Sequence, residues 1–283
     1  CALYAGSAEF IQMIDLHCHM LPGIDDGAPD LAIALEMARV AVADGITMVA
    51  CTPHIHPGRY ENTAESIAAA CEVFRAELAQ AGIDLEITYG ADTQIVPDLL
   101  EGLQSGRIPT LHGSRYFLFE PSHQIAQEGM LVLLQRVLDA GYVPVITHPE
   151  RLHYVERHYD QFLRAVEMGA WLQLTAGSVT GRFGERIQTV AHRFLRDGVT
   201  HLLATAAHNL KNRAPLLAEW RAVAATLVGE EEAQRLVSAR PAAVIANLAP
   251  ADVATPLVSM AGQGARKVKV IGFRGSLKRL FTR

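Results

Sequence analysis

The sequence predicts an α/β fold in which about seven short parallel strands, most followed by a helix, close into a barrel. Three observations point there. Short continuous apolar runs alternate with stretches apolar at helical spacing, as in a parallel sheet covered on both faces. No Gly-x-Gly-x-x-Gly turn is present, as an open dinucleotide-binding sheet would require. Nearly every apolar run also ends in an ionisable residue, and strand ends are where such barrels gather their chemistry.

The first strand is expected at residues 10–16. Residues 30–44 read as a helix, apolar at Leu31, Ala34, Leu35, Met37, Ala38, Ala41 and Val42, opened by Pro29 and stopped by Gly45. Residues 47–51 form a short strand leading into Thr52-Pro53-His54. A helix is expected over 63–81, capped by Asn62 with Glu65 three residues on, and ended by Gly82. The strand 85–89 delivers Gly90-Ala91-Asp92, and a short helix lies near 97–104. Strand 116–119 ends at Glu120, helix 130–140 closes at Gly141, and strand 143–147 ends at His148. Helix 159–168, strand 171–175, helix 186–196 and strand 201–205 follow, the last leading to His208. Two or three more helices fall around 215–227, 230–238 and 242–248.

At 283 residues, 50% hydrophobic and 19% charged, the chain is long enough for one large α/β domain. No apolar run approaches the ~20 residues a bilayer span needs. Residues 1–12 carry no secretory pattern and are expected to be an extension of cloning origin ahead of a natural start at Met13. The four cysteines make no C-x-x-C pair and no disulfide framework, so a reducing cytoplasm is the expected location. The net charge of −5 is uneven: residues 264–283 hold seven Lys or Arg and no acid, leaving the rest near −12. That acidic body argues against a nucleic-acid groove. The expected plan is a barrel over 13–250 and a basic tail over 251–283, suited to an anionic membrane surface or a partner.

The chain is organised around residues 14–27, IDLHCHMLPGIDDG. In an extended backbone residues two apart face the same side, so His17 and His19 offer two imidazoles to one point. Pro22-Gly23 and Asp26-Gly27 turn the chain so that a carboxylate can return to that point. Imidazoles with carboxylates suit a divalent ion such as Zn, Mn or Fe. His54, Asp92, Glu120, His148 and His208 end the later strands, and so many ionisable groups in one bowl call for a cluster of cations.

These motifs, D-x-H-x-H at the start, T-P-H, Y-G-A-D, H-P-E-R and the final A-H-N, resemble the polymerase-and-histidinol-phosphatase superfamily. More closely, they are similar to the bacterial metal-dependent protein-tyrosine phosphatases encoded with capsule and exopolysaccharide genes. The resemblance spans about residues 13–248. It implies a distorted, TIM-like (β/α)7 barrel with up to three metals at the C-terminal ends of the strands. Manganese is the expected ion, with Fe, Zn and Mg as alternatives. It further implies His17 and His19 on the first metal, Asp92 bridging to a second completed by Glu120 and His148, and Asp26, His54 and His208 on the third. Where the family commonly has Glu, this chain has Asp92. Where the family has a ligand aspartate two residues before the last histidine, this chain has Ala206, and a methyl group cannot coordinate. The chain is therefore expected to hold its first metal weakly and to be poorly active.

Such a site would hydrolyse a phosphate monoester with a metal-bound hydroxide beside Asp92. Arg151 and Arg213 match family phosphate-binding arginines, and a guanidinium fits phosphate bidentately; Arg59 is a weaker third candidate. His54 is a candidate for assisting the leaving group. The resemblance implies phosphotyrosine in a kinase tail as substrate; a small-molecule phosphatase, such as histidinol phosphatase, and a non-catalytic phosphopeptide-binding module are the alternatives. A cysteine phosphatase is excluded by spacing, since it needs Arg six residues after Cys. Arg59 lies eight after Cys51, and Arg75 four after Cys71. The cysteines read as small buried hydrophobes.

Overall fold

The computed structural model describes residues 12–258. Nine strands and ten α-helices alternate along them: β1 Met13–Cys18, α1 Leu31–Ala43, β2 Ile46–Cys51, β3 His54–Ile55, α2 Ala64–Gln80, β4 Glu86–Tyr89, β5 Asp92–Gln94, α3 Leu99–Gln104, β6 Tyr116–Glu120, α4 Met130–Asp139, β7 Val143–Thr147, α5 Tyr159–Met168, β8 Trp171–Thr175, α6 Ala176–Val179, α7 Glu185–Arg196, β9 Leu202–Ala204, α8 Ala218–Val228, α9 Glu230–Val237 and α10 Ala239–Ile245. Every strand pair is parallel.

The strands do not form one uninterrupted ladder, as the expected closed barrel would. They form two sheets, ordered β1-β2-β4 and β3-β5-β6-β7-β8-β9. The break falls at Thr52-Pro53 and Gly90-Ala91. Proline has no N–H to give a ladder, and the two extended segments there split into β2 with β3 and β4 with β5. Single bonds still cross the break, from Gly90 N–H to Cys51 O at 3.1 Å and from Asp92 N–H to Pro53 O at 3.1 Å. At the other side, His19 N–H donates to Ala207 O at 2.9 Å and Ala206 N–H to His17 O at 2.8 Å. These bonds lace the end of β1 to the chain just past β9.

The expected elements are present within a few residues, with three differences. β1 runs to Cys18, so His17 lies inside it rather than after it; residues 10 and 11 lie outside the described residues. Sequence pattern gave no sign of β3, β5 or α6, which are two to four residues long. Asn62 does not cap α2. Thr63 does, its side chain accepting from Ser66 N–H while the Ser66 hydroxyl accepts from Thr63 N–H. Residues 1–11 and 259–283, hence the expected N-terminal extension apart from Gln12 and the basic stretch, lie outside the described residues. The chain from 250 to 258 stays on the body, where Arg240 Nε donates to Ala254 O at 2.8 Å.

Strand alternation explains where the core ends and the site begins. On one face of β6 stand Tyr116, Leu118 and Glu120; on β7, Val143, Val145 and Thr147; on β8, Trp171 and Gln173. The lower members join Leu16, Ala50, Leu202 and Val244 in a small inner cluster. The upper members are polar and open the site. The opposite faces, including Phe117, Phe119, Ile146, Leu172 and Leu203, pack into the larger outer cluster that also holds helix residues such as Phe162 and Phe194. Cys18, Cys51 and Cys71 are buried and free, as small hydrophobes.

Candidate metal centre

His17 and His19 are both buried. The His17 Nδ1–H donates to Gln173 Oε1 at 2.8 Å, an amide oriented by its own Nε2–H bond to Leu174 O at 2.7 Å. The His19 Nδ1–H donates to Asp25 Oδ2 at 2.6 Å. Each oxygen only accepts, so each ring carries its proton on Nδ1 and presents a bare Nε2. Those two Nε2 atoms face each other at 3.1 Å. Opposed lone pairs repel, and one cation bonded to both at about 2.1 Å would relieve them. Gly27 lets the acidic loop come this close: a Cβ there would lie 2.1 Å from His19 O.

The later strand ends converge on the same place. Asp92 Oδ2 is 3.4 Å from His17 Nε2 and 3.6 Å from both His148 Nε2 and His54 Nδ1. Glu120 Oε2 is 3.3 Å from His54 Nδ1. Asp26 Oδ1 is 3.5 Å from the Nε2 atoms of His54 and His208. The His208 Nδ1–H donates to Ala206 O at 3.0 Å, which again turns a bare Nε2 inward. Among the described residues, the buried Asp92 Oδ2, His54 Nδ1 and His208 Nε2 have no hydrogen-bond partner. Buried polar atoms are rarely left so. The residues therefore fit divalent cations. Four groups hold ligand atoms within 4.8 Å of one another: His17, His19 and Asp92; His19, Asp26, His54 and His208; His54, Asp92 and Glu120; and Glu120, His123 and His148.

The protonation pattern is that of a site built for added positive charge. Burial holds His19 and His148 well below the ordinary histidine value, and His208 at about 4. Burial also opposes charge on Asp92, but His17 and His148 beside it win and keep it ionised. Burial, then the Asp92 charge, raises Glu120. His54 is the exception among the rings: despite burial, Glu120, Asp92 and Asp26 push it up to about 9. A proton on His54 balances those acids in the absence of cations.

All eight residues expected as ligands thus meet at one rim. Arg151, Arg213 and Arg59 line a cavity of about 440 Å³ that opens over His54, Glu120 and His148. Arg151 lies over the Phe183 ring, 4.9 Å from its centroid. Arg213 donates from Nε to Ala206 O at 3.1 Å; burial and the nearby Arg151 lower it to about 9, which leaves it charged at neutral pH. Arg59 is exposed and stacks on Tyr60, which in turn stacks on His54. Ala206 is fully buried on the turn after β9 with φ +44°.

Four participants escaped the sequence reading as site residues: Asp25, Gln173, Tyr60 and His123. Gln173 left a trace, as the one polar residue inside an apolar strand, WLQLT, before its final Thr. Asp25 was visible beside Asp26, but its role behind His19 was not. His123, three residues past Glu120, follows a strand end rather than sitting at it.

Comparison with known proteins agrees with this geometry. A family described as capsular polysaccharide synthesis, CpsB/CapC, matches residues 13–246. The chain is 34% identical over 202 residues to the tyrosine-protein phosphatase YwqE of Bacillus subtilis, covering 71% of this chain and 79% of that one. It is 28% identical over 240 residues to the tyrosine-protein phosphatase CpsB of Streptococcus agalactiae, covering 83% and 99%. A solved structure described among YwqE and Streptococcus pneumoniae CpsB, "unique metal-dependent tyrosine phosphatases", superposes with TM-score 0.81 at 29% identity over 87% of this chain and 98% of that one. A β-aspartyl dipeptidase from Fervidobacterium islandicum shares the fold alone, at TM-score 0.50 and 14% identity over 82% of this chain and 74% of that one. With its signature residues gathered at one rim, the chain belongs to the CpsB/CapC family of capsular polysaccharide synthesis.

Proposed function

We propose that this chain is a metal-dependent protein-tyrosine phosphatase acting on phosphotyrosine in the tail of a cytoplasmic tyrosine autokinase of capsule or exopolysaccharide synthesis. The observation that carries the reading is the pair of bare Nε2 atoms of His17 and His19, 3.1 Å apart beside the unpartnered Asp92 Oδ2. The names of the relatives support the phosphatase class. In this assignment His17, His19 and Asp92 would hold a first manganese, Asp92, Glu120 and His148 a second, and Asp26, His54 and His208 a third. When bound, such ions neutralise phosphate oxygens and acidify water. We read the two sheets as one distorted (β/α)7 barrel, counting β2 with β3 and β4 with β5; the bonds joining β1 to the chain after β9 support that count.

The protein's own part is to bind and orient. Arg151 and Arg213 bracket the cavity and offer guanidinium donors to a phosphate dianion. Phe183 under Arg151 and the Ala206 carbonyl at Arg213 Nε hold both forks in place before substrate arrives. The departing phenolate, of pKa about 10, needs a proton or positive charge at its oxygen. His54 lines the cavity with Asp26 behind it, and the cation it would share with Asp26 and His208 is what would supply positive charge there.

Ala206 weakens this machine. Its left-handed backbone suits Asp or Asn and costs other residues about 1 kcal/mol or more. The loss of a carboxylate there leaves the first ion short of a ligand. The test is phosphate release from a phosphotyrosyl peptide and from histidinol phosphate with manganese in excess, for this chain and for Ala206→Asp. The peptide is the expected substrate, and Ala206→Asp is expected to be at least about 10-fold faster. Equal rates would overturn the role given to position 206. Tight peptide binding without turnover by either form would instead favour a phosphopeptide-capturing module, the reading that Ala206 itself suggests.

A further inference from the structure

We propose that His123 is a protein ligand of the cation held by Glu120 and His148, an inference that rests on the metal centre proposed above. The His123 Nε2 atom lies 3.8 Å from Glu120 Oε1, and the same Oε1 lies 3.9 Å from His148 Nε2. The two rings are 5.0 Å apart and inclined by 35°, tilted rather than stacked on each other. One ligand atom from each of the three residues falls within 4.8 Å of the others, a triangle that one ion can span.

The loop holds His123 there by its backbone. His153 N–H donates to His123 O at 3.0 Å, tying the segment after Glu120 to the segment after Arg151. The His123 side chain is about one-third exposed and lines the cavity, while Glu120 and His148 are buried. His123 is thus the most exposed member of its trio.

The experiment counts and weighs bound ions without using activity. The full chain, His123→Ala, His123→Asn and, as a control, His158→Ala at an exposed position are stripped of metal and titrated with Mn2+, reading free ion by electron paramagnetic resonance. Co2+ loading adds a visible spectrum sensitive to nitrogen ligands. Thermal unfolding of the stripped proteins establishes that each is folded. Both His123 variants are expected to lose one class of bound Mn2+ or to weaken it at least about 10-fold, with an altered Co2+ spectrum. His158→Ala is expected to match the unaltered chain. If the unaltered chain binds ions and the His123 variants bind them identically, the assignment of His123 is overturned and the metal centre stands. If the unaltered chain binds none, both fall.

Discussion

At the scale of single residues, the site depends on oxygens that decide which nitrogen of each ring is free. Asp25 does this for His19 and also accepts from Gly27 N–H at 2.9 Å and His54 N–H at 3.1 Å. Asp25→Asn should therefore leave the fold intact but weaken manganese binding about 10- to 100-fold, the usual cost of losing a partner behind a ligating histidine. A metal titration checks this, and unchanged affinity would show that His19 needs no such partner. Arg151 makes a second residue-scale prediction. Lysine keeps the charge but loses the planar fork. Arg151→Lys should lower kcat/KM for a phosphotyrosyl peptide by about 10-fold or more, and a wild-type value would remove Arg151 from phosphate binding. His17 and His19 were legible as a pair because two residues of strand bring them to one side. Gln173 was not, because nothing in its own strand says that a histidine 156 positions earlier will face it.

At the scale of elements, helix α2 separates a capping role from a bridging one. Thr63 and Ser66 close the capping box, whereas Asn62 donates from Nδ2 to Ile24 O and to His54 O, both at 3.0 Å. It thereby joins the loop carrying Asp25 and Asp26 to the strand carrying His54. Thr63→Ala should cost about 1 kcal/mol in urea unfolding with little change in metal affinity. Asn62→Ala should lower metal affinity through the loosened loops. The opposite assignment of effects would restore Asn62 as the cap. Both residues are good caps by type, so sequence alone chose between neighbours and chose the wrong one. The longer helices and strands were legible because their apolar period persists over many residues. β3, β5 and α6 were not, since two to four residues carry no period.

At the scale of the whole molecule, cations and protons act on stability. The inward nitrogens and carboxylates exist as a set only in the folded chain, so manganese should raise Tm by mass action. At a thousand times Kd the gain is about 4 kcal/mol. Chelation that leaves Tm unmoved would argue against a bound ion. Away from the site, His201 is buried, accepts from Leu172 N–H at 3.2 Å and stacks on Trp171. Burial, then the charge of Arg240, lowers it from 6.5 to about 3. Between those values the unfolded chain binds the extra proton. Stability therefore rises with pH across that window and drains as pH falls below about 6.5, by at most about 1.4 kcal/mol per pH unit from this group. In metal-free protein, His201→Gln should flatten the change in urea midpoint between pH 7.5 and 5.5; an equal slope would exclude His201 as a contributor.

By itself the sequence determined the alternation of apolar strands and helices, the residues that end them, and the family they mark. Those are local properties, written in spacing and side-chain type. Tertiary structure alone decided that the ladder divides at Pro53, that the rings of His17, His19 and His208 turn bare nitrogens inward, and that His123 stands beside Glu120 and His148. Each depends on which distant backbone or side-chain oxygen a nitrogen meets, and only the closed packing of the chain brings those partners together.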